Sequence, residues 1–130
     1  MTQKVITVVF YSRRYPRSDW RLDLEEETLA AFFDLIVEEF APLDIRVEYL
    51  KDETLSFDIN GYGDLLNSIR IRSLRDGIGN LCLGHIIGAS PNRDPLEDVR
   101  RGLSRVAFAP ETIEPEGSDK IVCHNCGCGC

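Results

Sequence analysis

The segment Lys4–Ser12, with the sequence KVITVVFYS, begins the stretch of chain that decides the fold. Five of the six residues from position 5 to position 10 are apolar, and most of these are β-branched. A short and nearly continuous apolar run of this kind predicts a strand that is covered on both faces. We therefore expect this segment to form the first strand of the fold.

A helix is predicted to follow, from about Leu24 to Phe40. Asp23 is suited to cap its first turn, and Glu26, three residues later, completes a capping-box pattern. Pro42 ends the helix, because a proline cannot continue the ladder of backbone hydrogen bonds. The apolar residues of this segment recur at helical spacing and form one stripe: Leu29, Phe32, Phe33, Ile36 and Phe40.

A second strand is predicted at Ile45–Leu50, where apolar and charged residues alternate. Strand, helix and strand together predict a βαβ unit. Its two strands should be parallel, and its crossover should be right-handed.

The middle of the chain predicts a short helix and a hairpin. The helix is expected at Asp64–Ser68. The segments Ser68–Leu74 and Asn80–Gly88 are then expected to pair as antiparallel strands, joined by the turn signal Arg75-Asp76-Gly77.

The final predicted helix has a clear start. Asp94 can cap it, Pro95 occupies its first position, and Glu97 follows three residues after the cap. Its buried stripe is expected to consist of Leu96, Val99, Leu103 and Val106.

These elements predict an α/β domain, with α+β as the alternative, built on one small sheet. A βαβ unit is followed by a β-hairpin and a C-terminal helix. Residues 1–108 should form the globular body, and residues 109–120 an acidic tether rich in proline and glycine. Residues 121–130 form a cysteine-rich tail.

The order of these elements resembles that of the thioredoxin-like fold, over roughly residues 4–107. Thioredoxins carry Cys-x-x-Cys after the first strand, where this chain has Ser12-Arg13-Arg14-Tyr15. The usual cis-proline before the hairpin is also absent from the sequence. The resemblance thus implies a thioredoxin-like body without redox chemistry at that position.

The net charge and the composition of the chain argue against several classes of function. The formal net charge of −7 argues against nucleic-acid binding, which depends on neutralising phosphates. No segment is long and apolar enough to predict a membrane span. The first residues do not read as a signal peptide, so we expect the cytoplasm, where the five cysteines would be kept reduced. We find no recognisable catalytic constellation of serine, cysteine or carboxylate residues, which favours a binding role over an enzymatic one.

The tail carries the strongest chemical signal in the sequence. Four thiols, those of Cys123, Cys126, Cys128 and Cys130, follow the pattern Cys-x-x-Cys-x-Cys-x-Cys, and His124 adds an imidazole. Thiolates are soft ligands that select zinc, nickel, copper or iron–sulfur clusters over magnesium or calcium. The sequence therefore predicts that the tail binds a thiophilic transition metal or an iron–sulfur cluster.

The spacing of these thiols differs from that of a structural zinc site. Zinc fingers and ribbons separate two pairs of ligands by a dozen or more residues, and a small fold closes around the metal. Here the ligands are adjacent, which favours an exposed site for metal delivery, storage or sensing. The body is then expected to recognise a protein partner. Cys82 and His85 are expected to be structural, although either would complete the site if the tail folded back.

Two known segments are similar to residues 123–128. One is the Cys-x-x-Cys-Gly-Cys nickel-binding segment of the hydrogenase-maturation GTPases, and the other is the Cys-x-x-Cys-x-Cys metal motif of nitrile hydratases. Both resemblances imply metal ligation by the cysteines. They cover six residues and imply neither family's enzymatic activity.

Two alternative interpretations of the tail remain open. A tail of alternating cysteine and glycine also resembles the core of azole-modified ribosomal peptides, which implies a precursor whose thiols are covalently modified. Neighbouring thiols can also exchange disulfides or carry sulfur. Each alternative uses the same cysteines without a bound metal.

An arginine-rich loop is the second candidate site. Arg13, Arg14, Arg17 and Arg21 are predicted to follow the first strand, at the sheet edge where α/β proteins bind ligands. Their guanidinium groups suit an anionic ligand or an acidic partner. The alternative is a solvated loop with ion pairs to Asp19 and Asp23, and this alternative is favoured.

Overall fold

The computed structural model describes residues 4–19, 21–22, 24–88 and 93–113. Its strands are β1 (Lys4–Arg14), β2 (Ile45–Asp58), β3 (Ile69–Ser73) and β4 (Ile78–Cys82). Its α-helices are α1 (Glu26–Phe40), α2 (Tyr62–Asn67), α3 (Leu83–Ile87) and α4 (Pro95–Phe108). Short 3-10 turns lie at Ala41–Leu43, Leu74–Asp76 and Pro110–Thr112. None of these helices has the length and apolar character that crossing a membrane requires.

The four described strands form one sheet in the order β2-β1-β3-β4. β1 and β2 are parallel, as the predicted βαβ unit requires, and β3 pairs antiparallel with both β1 and β4. The prediction of an α/β domain with a βαβ unit, a hairpin and a C-terminal helix is confirmed.

The helices pack their apolar residues into one core on one face of the sheet. From β1 that core receives Ile6, Val8 and Phe10, which alternate along the strand as side chains of one face must. Val9 and Tyr11 point to the opposite face, where they are also buried but lie outside this core. Val5, on the same face, is 39% exposed, so the predicted cover on both faces holds for only part of β1.

The predicted apolar stripes are largely those that the fold buries. In α1, Leu29, Phe33, Ile36 and Phe40 are buried. In α4, Val99, Leu103 and Val106 are completely buried. Each stripe also has one member that is only partly buried: Phe32 in α1 and Leu96 in α4.

The start of α1 differs from the prediction. The helix begins at Glu26, and its N-cap residue Glu25 is extended and makes no side-chain capping bond. Leu22 and Leu24 pack partly buried against the core, and the Tyr15 hydroxyl donates a hydrogen bond to the Leu22 carbonyl oxygen. These contacts favour an extended chain before the helix. The proposed cap, Asp23, lies outside the described residues.

The second strand of the hairpin is shorter than predicted. The apolar segment 80–88 divides, with β4 ending at Cys82 and α3 running from Leu83 to Ile87. The predicted strand over this whole segment was wrong, because apolar character alone does not distinguish a buried strand from a short buried helix.

The body continues beyond residue 108. The turn at Pro110–Thr112 follows α4 directly, and Ile113 is buried in the core. Arg105 holds this turn, donating hydrogen bonds to the Thr112 carbonyl oxygen at 2.7 Å and to its hydroxyl at 3.0 Å. Residues 109–113, assigned to the tether from sequence, thus lie against the body.

Candidate functional site

The cysteine-rich tail lies outside the described residues. This applies to every predicted metal ligand: Cys123, His124, Cys126, Cys128 and Cys130. Within the described ranges, no group of three or more histidine, cysteine, aspartate or glutamate residues is placed to hold a metal ion. The tail therefore stays a prediction from sequence.

Cys82 has a structural position in the body. Its side chain is 1% exposed, and its sulfur caps α3 by accepting a hydrogen bond from the His85 backbone N–H at 3.4 Å. This geometry explains how the chain passes from β4 into α3. The His85 side chain is half-buried on the first turn of that helix.

The predicted arginine-rich loop divides into two parts. β1 extends to Arg14, so Arg13 and Arg14 belong to the strand, while Arg17 lies in the loop that follows. Arg17 forms an exposed bidentate ion pair with Asp19: Nη2 lies 2.6 Å from Oδ2, and Nε lies 2.9 Å from Oδ1. The hydrogen bonds of this pair raise the pKa of Arg17 and lower the pKa of Asp19. Arg17 is thus engaged as the solvated-loop interpretation predicts.

The remaining arginines of this group line a common cleft. Arg14 pairs with Asp58 at 2.8 Å, and the Arg21 guanidinium lies 5.1 Å from the centre of the Tyr15 ring. The structure brings Arg13, Arg14 and Arg21 together around the cleft and leaves Arg17 out of its lining.

The cleft has a volume of about 470 Å³ and lies beside the last residues of β1. A register shift between β1 and β2 opens it. Tyr11 is opposite Asp52, whereas the next residue, Ser12, is opposite Ser56, so β2 bulges by three residues. The lining residues are Phe10, Tyr11, Ser12, Arg13, Arg14, Tyr15, Arg21, Leu29, Lys51 and Glu53. Bulges often lie next to functional sites, because they interrupt pairing and redirect side chains.

The bulge is held by its own side chains. The Asp52 carboxylate accepts hydrogen bonds from the Thr54 hydroxyl at 2.5 Å and from the Thr54 backbone N–H at 2.8 Å. These bonds lower the pKa of Asp52, so its carboxyl stays ionised through the neutral range. These hydrogen bonds stabilise the bulged segment of β2 beside the cleft.

Arg13 is distinctive among the arginines. Its Nε atom is buried and has no hydrogen-bond partner, and no described residue forms an ion pair with its guanidinium. Each of the other eleven arginines of the chain has an ion pair, a hydrogen bond or an aromatic or electrostatic contact. A buried donor without a partner is costly in a folded protein and calls for an explanation.

The second face of the sheet carries a polar network that the sequence analysis missed. Tyr11 OH accepts hydrogen bonds from Arg72 at 3.3 Å and from Asn80 at 3.4 Å, and Arg72 also donates to Asn80 at 3.1 Å. Arg70 lies over the Phe57 ring, 5.7 Å from its centre. The alternation of isoleucine and arginine in β3 was the available signal, since period two places both arginines on one face.

None of three comparisons, with protein-family models, with curated proteins and with solved structures, found a significant match to this chain. Its function is therefore inferred from its own residues.

Proposed function

We propose that this protein binds a thiophilic transition metal, such as zinc, nickel or copper, or an iron–sulfur cluster, through the cysteines of its tail. The observation that carries the proposal is the spacing Cys-x-x-Cys-x-Cys-x-Cys at residues 123–130. Four thiolates in eight residues supply a full soft ligand set from one short segment. His124 is a further donor of the same segment.

The position of the fifth cysteine, Cys82, in the body supports this assignment. Cys82 is buried and caps α3, so its sulfur already has a structural role. The thiols left for a metal are then those of the tail. An adjacent ligand set of this kind suits reversible delivery, storage or sensing better than structural support.

The role of the body in this proposal is partner recognition. Its element order supports a thioredoxin-like fold, since a parallel βαβ unit precedes an antiparallel hairpin and a final helix. The net charge of −7 favours a protein partner over nucleic acid. A cysteine-rich metal tail fits a reducing compartment, and we propose the cytoplasm.

Metal content of anaerobically purified full-length protein tests the proposal. A variant with serine at positions 123, 126, 128 and 130 is compared with Cys82→Ala, which removes the one cysteine outside the tail. We expect near-stoichiometric zinc, nickel, copper or iron in the wild type and in Cys82→Ala, and its loss in the tail variant. No metal in any form, after exposure to Zn(II), Ni(II), Cu(I) and iron with sulfide, would overturn the proposal.

A covalently modified tail is the second candidate, favoured by the alternation of cysteine and glycine from Cys126 to Cys130. Intact mass of denatured protein from the native host separates the two. Azole formation removes about 20 Da for each cysteine, and a carried persulfide adds about 32 Da. Reversible metal binding leaves the denatured mass unchanged, so a shifted mass with no metal would favour modification or sulfur transfer.

A further inference from the structure

We propose that the cleft beside the end of β1 binds the phosphate group of a small organic phosphate, with Arg13 as its principal ligand. This site is separate from the cysteines of the tail and does not depend on the metal proposal. It rests on the Arg13 guanidinium, which has no ion-pair partner among the described residues, on the bulge beside the cleft, and on the charge of its lining.

Arg13 supplies the first observation. The buried Nε–H of this side chain lacks an acceptor, and the structure gives its guanidinium no carboxylate partner among the described residues. The fork of an arginine matches two oxygens of a phosphate or carboxylate group. Because Nε is buried, the Nη nitrogens are the donors that an anion in the cleft would meet, and they have no carboxylate partner among the described residues.

The charge of the lining supplies the second observation. Among the described residues that line the cleft, four are cationic and one, Glu53, is acidic; the cations are Arg13, Arg14, Arg21 and Lys51. Arg21 lies over the Tyr15 ring, Arg14 pairs with Asp58, and Lys51 pairs with Glu26 at 3.2 Å. In the two ion pairs each side chain is 46% or more exposed, and exposed pairs are weak enough to exchange for a better anion.

The number of cations favours a dianion over a single carboxylate. A phosphate monoester carries between one and two negative charges at neutral pH and offers three acceptor oxygens. Several cations around one cleft attract such a group more strongly than a monoanion. The volume of about 470 Å³ leaves room for an organic substituent beside the phosphate.

The experiment is a titration of the ¹⁵N-labelled full-length protein with inorganic phosphate and with phenyl phosphate, followed by NMR in a low-chloride buffer. Acetate is the monoanionic control. We expect saturable shifts of the amides of residues 12–15 and 51–53 with both phosphates, and weaker effects with acetate. Arg13→Gln should weaken the affinity for phosphate roughly tenfold or more, as loss of a charged hydrogen bond does.

Arg17→Gln is the matched control, because Arg17 belongs to the same sequence cluster but does not line the cleft. It should leave the affinity unchanged. Equal weakening by both variants would show attraction to general surface charge, and the proposal would fail. Shifts that never saturate, or that lie elsewhere on the body, would also overturn it. The tail variant with four serines should bind phosphate like the wild type, so this test is independent of metal binding.

Discussion

Lys4 Nζ lies 2.8 Å from Asp76 Oδ2, and the same ammonium donates a hydrogen bond to the Val106 carbonyl oxygen at 2.7 Å. Asp76 also accepts a hydrogen bond from the Ser73 hydroxyl at 2.6 Å. The two side chains are 10% and 15% exposed. One buried lysine therefore joins the start of β1, the turn between β3 and β4, and the last turn of α4, where a cation complements the helix dipole.

Replacement of Lys4 by methionine should lower the free energy of unfolding by about 2 kcal/mol, because it leaves the partly buried Asp76 without its cation. Urea unfolding followed by circular dichroism measures this change. Lys51→Met is the matched control, since the Lys51–Glu26 pair is exposed and should contribute less than about 0.5 kcal/mol. Equal effects of the two substitutions would contradict a special role for Lys4.

The ion pair also predicts a dependence of stability on pH. Burial alone would raise the pKa of Asp76, but hydrogen bonds from Lys4 and Ser73, with attraction to Lys4 and Arg75, outweigh it and lower this pKa below 3.8. A carboxyl with a lowered pKa in the folded state stabilises the protein above its ordinary pKa. That contribution is lost as the pH falls through the folded-state value.

The wild type should therefore exceed Asp76→Asn in stability by a constant amount at neutral pH. The difference should shrink once the pH falls below about 3.8. Urea unfolding of both proteins from neutral pH to about pH 3 measures it. A difference that stays constant over the whole range would show that the Asp76 charge does not stabilise the fold.

Gly102 permits the close packing of α4. A Cβ atom at this position would lie 2.5 Å from Leu83 Cδ1 and 3.1 Å from Ile71 Cδ1, and both of those side chains are fully buried. Gly102→Ala should lower the free energy of unfolding by about 1 kcal/mol, because crowding in the core exceeds the helix preference of alanine. Ser104→Ala, on a half-buried position of the same helix, should change it by less than about 0.5 kcal/mol. Thermal unfolding compares the two, and a stabilised Gly102→Ala would mean that Leu83 moves aside freely.

Arg13 should not stabilise the ligand-free protein. Arg13→Met removes a buried donor that has no partner, so the free energy of unfolding should stay constant or rise by up to about 1 kcal/mol. Arg105→Met should instead cost about 2 kcal/mol, because Arg105 donates to the carbonyl oxygens of Ile86 and Thr112. Chemical unfolding of both variants in phosphate-free buffer checks this contrast. A clear loss of stability in Arg13→Met would give that side chain a structural role.

Local patterns predicted the regular parts of the fold well. The buried side of α1 follows from apolar residues at helical spacing, and the start of α4 follows from Asp94, whose carboxylate accepts a hydrogen bond from the Glu97 backbone N–H at 3.3 Å. Such signals involve residues only three or four positions apart. Segment 80–88 was harder, because its apolar residues suit a strand and a short helix equally. The Cys82 cap and the packing of α3 against α4 favour the helix for Leu83 and Ile86.

The two candidate sites also differ in how far the sequence alone predicts them. The thiol spacing of the tail can be read from the sequence alone, because its proposed ligands are neighbours along the chain. The cleft could not be predicted in detail, since the bulge in β2 opens it and Lys51 and Glu53 line it from a separate strand. Sequence grouped Arg17 with Arg13, but the structure pairs Arg17 with Asp19 and leaves Arg13 without a partner.

By itself, the sequence determined the α/β class, the parallel βαβ unit, the buried stripes of α1 and α4, and the thiol-rich character of the tail. These depend on periodicity, capping and composition, which act over a few residues. Only the tertiary structure decided that Lys4 is buried against Asp76, that Cys82 caps a helix, and that Arg13 faces a cleft. Contacts between distant segments set the burial and the partners of each of these side chains, and no local pattern encodes such contacts.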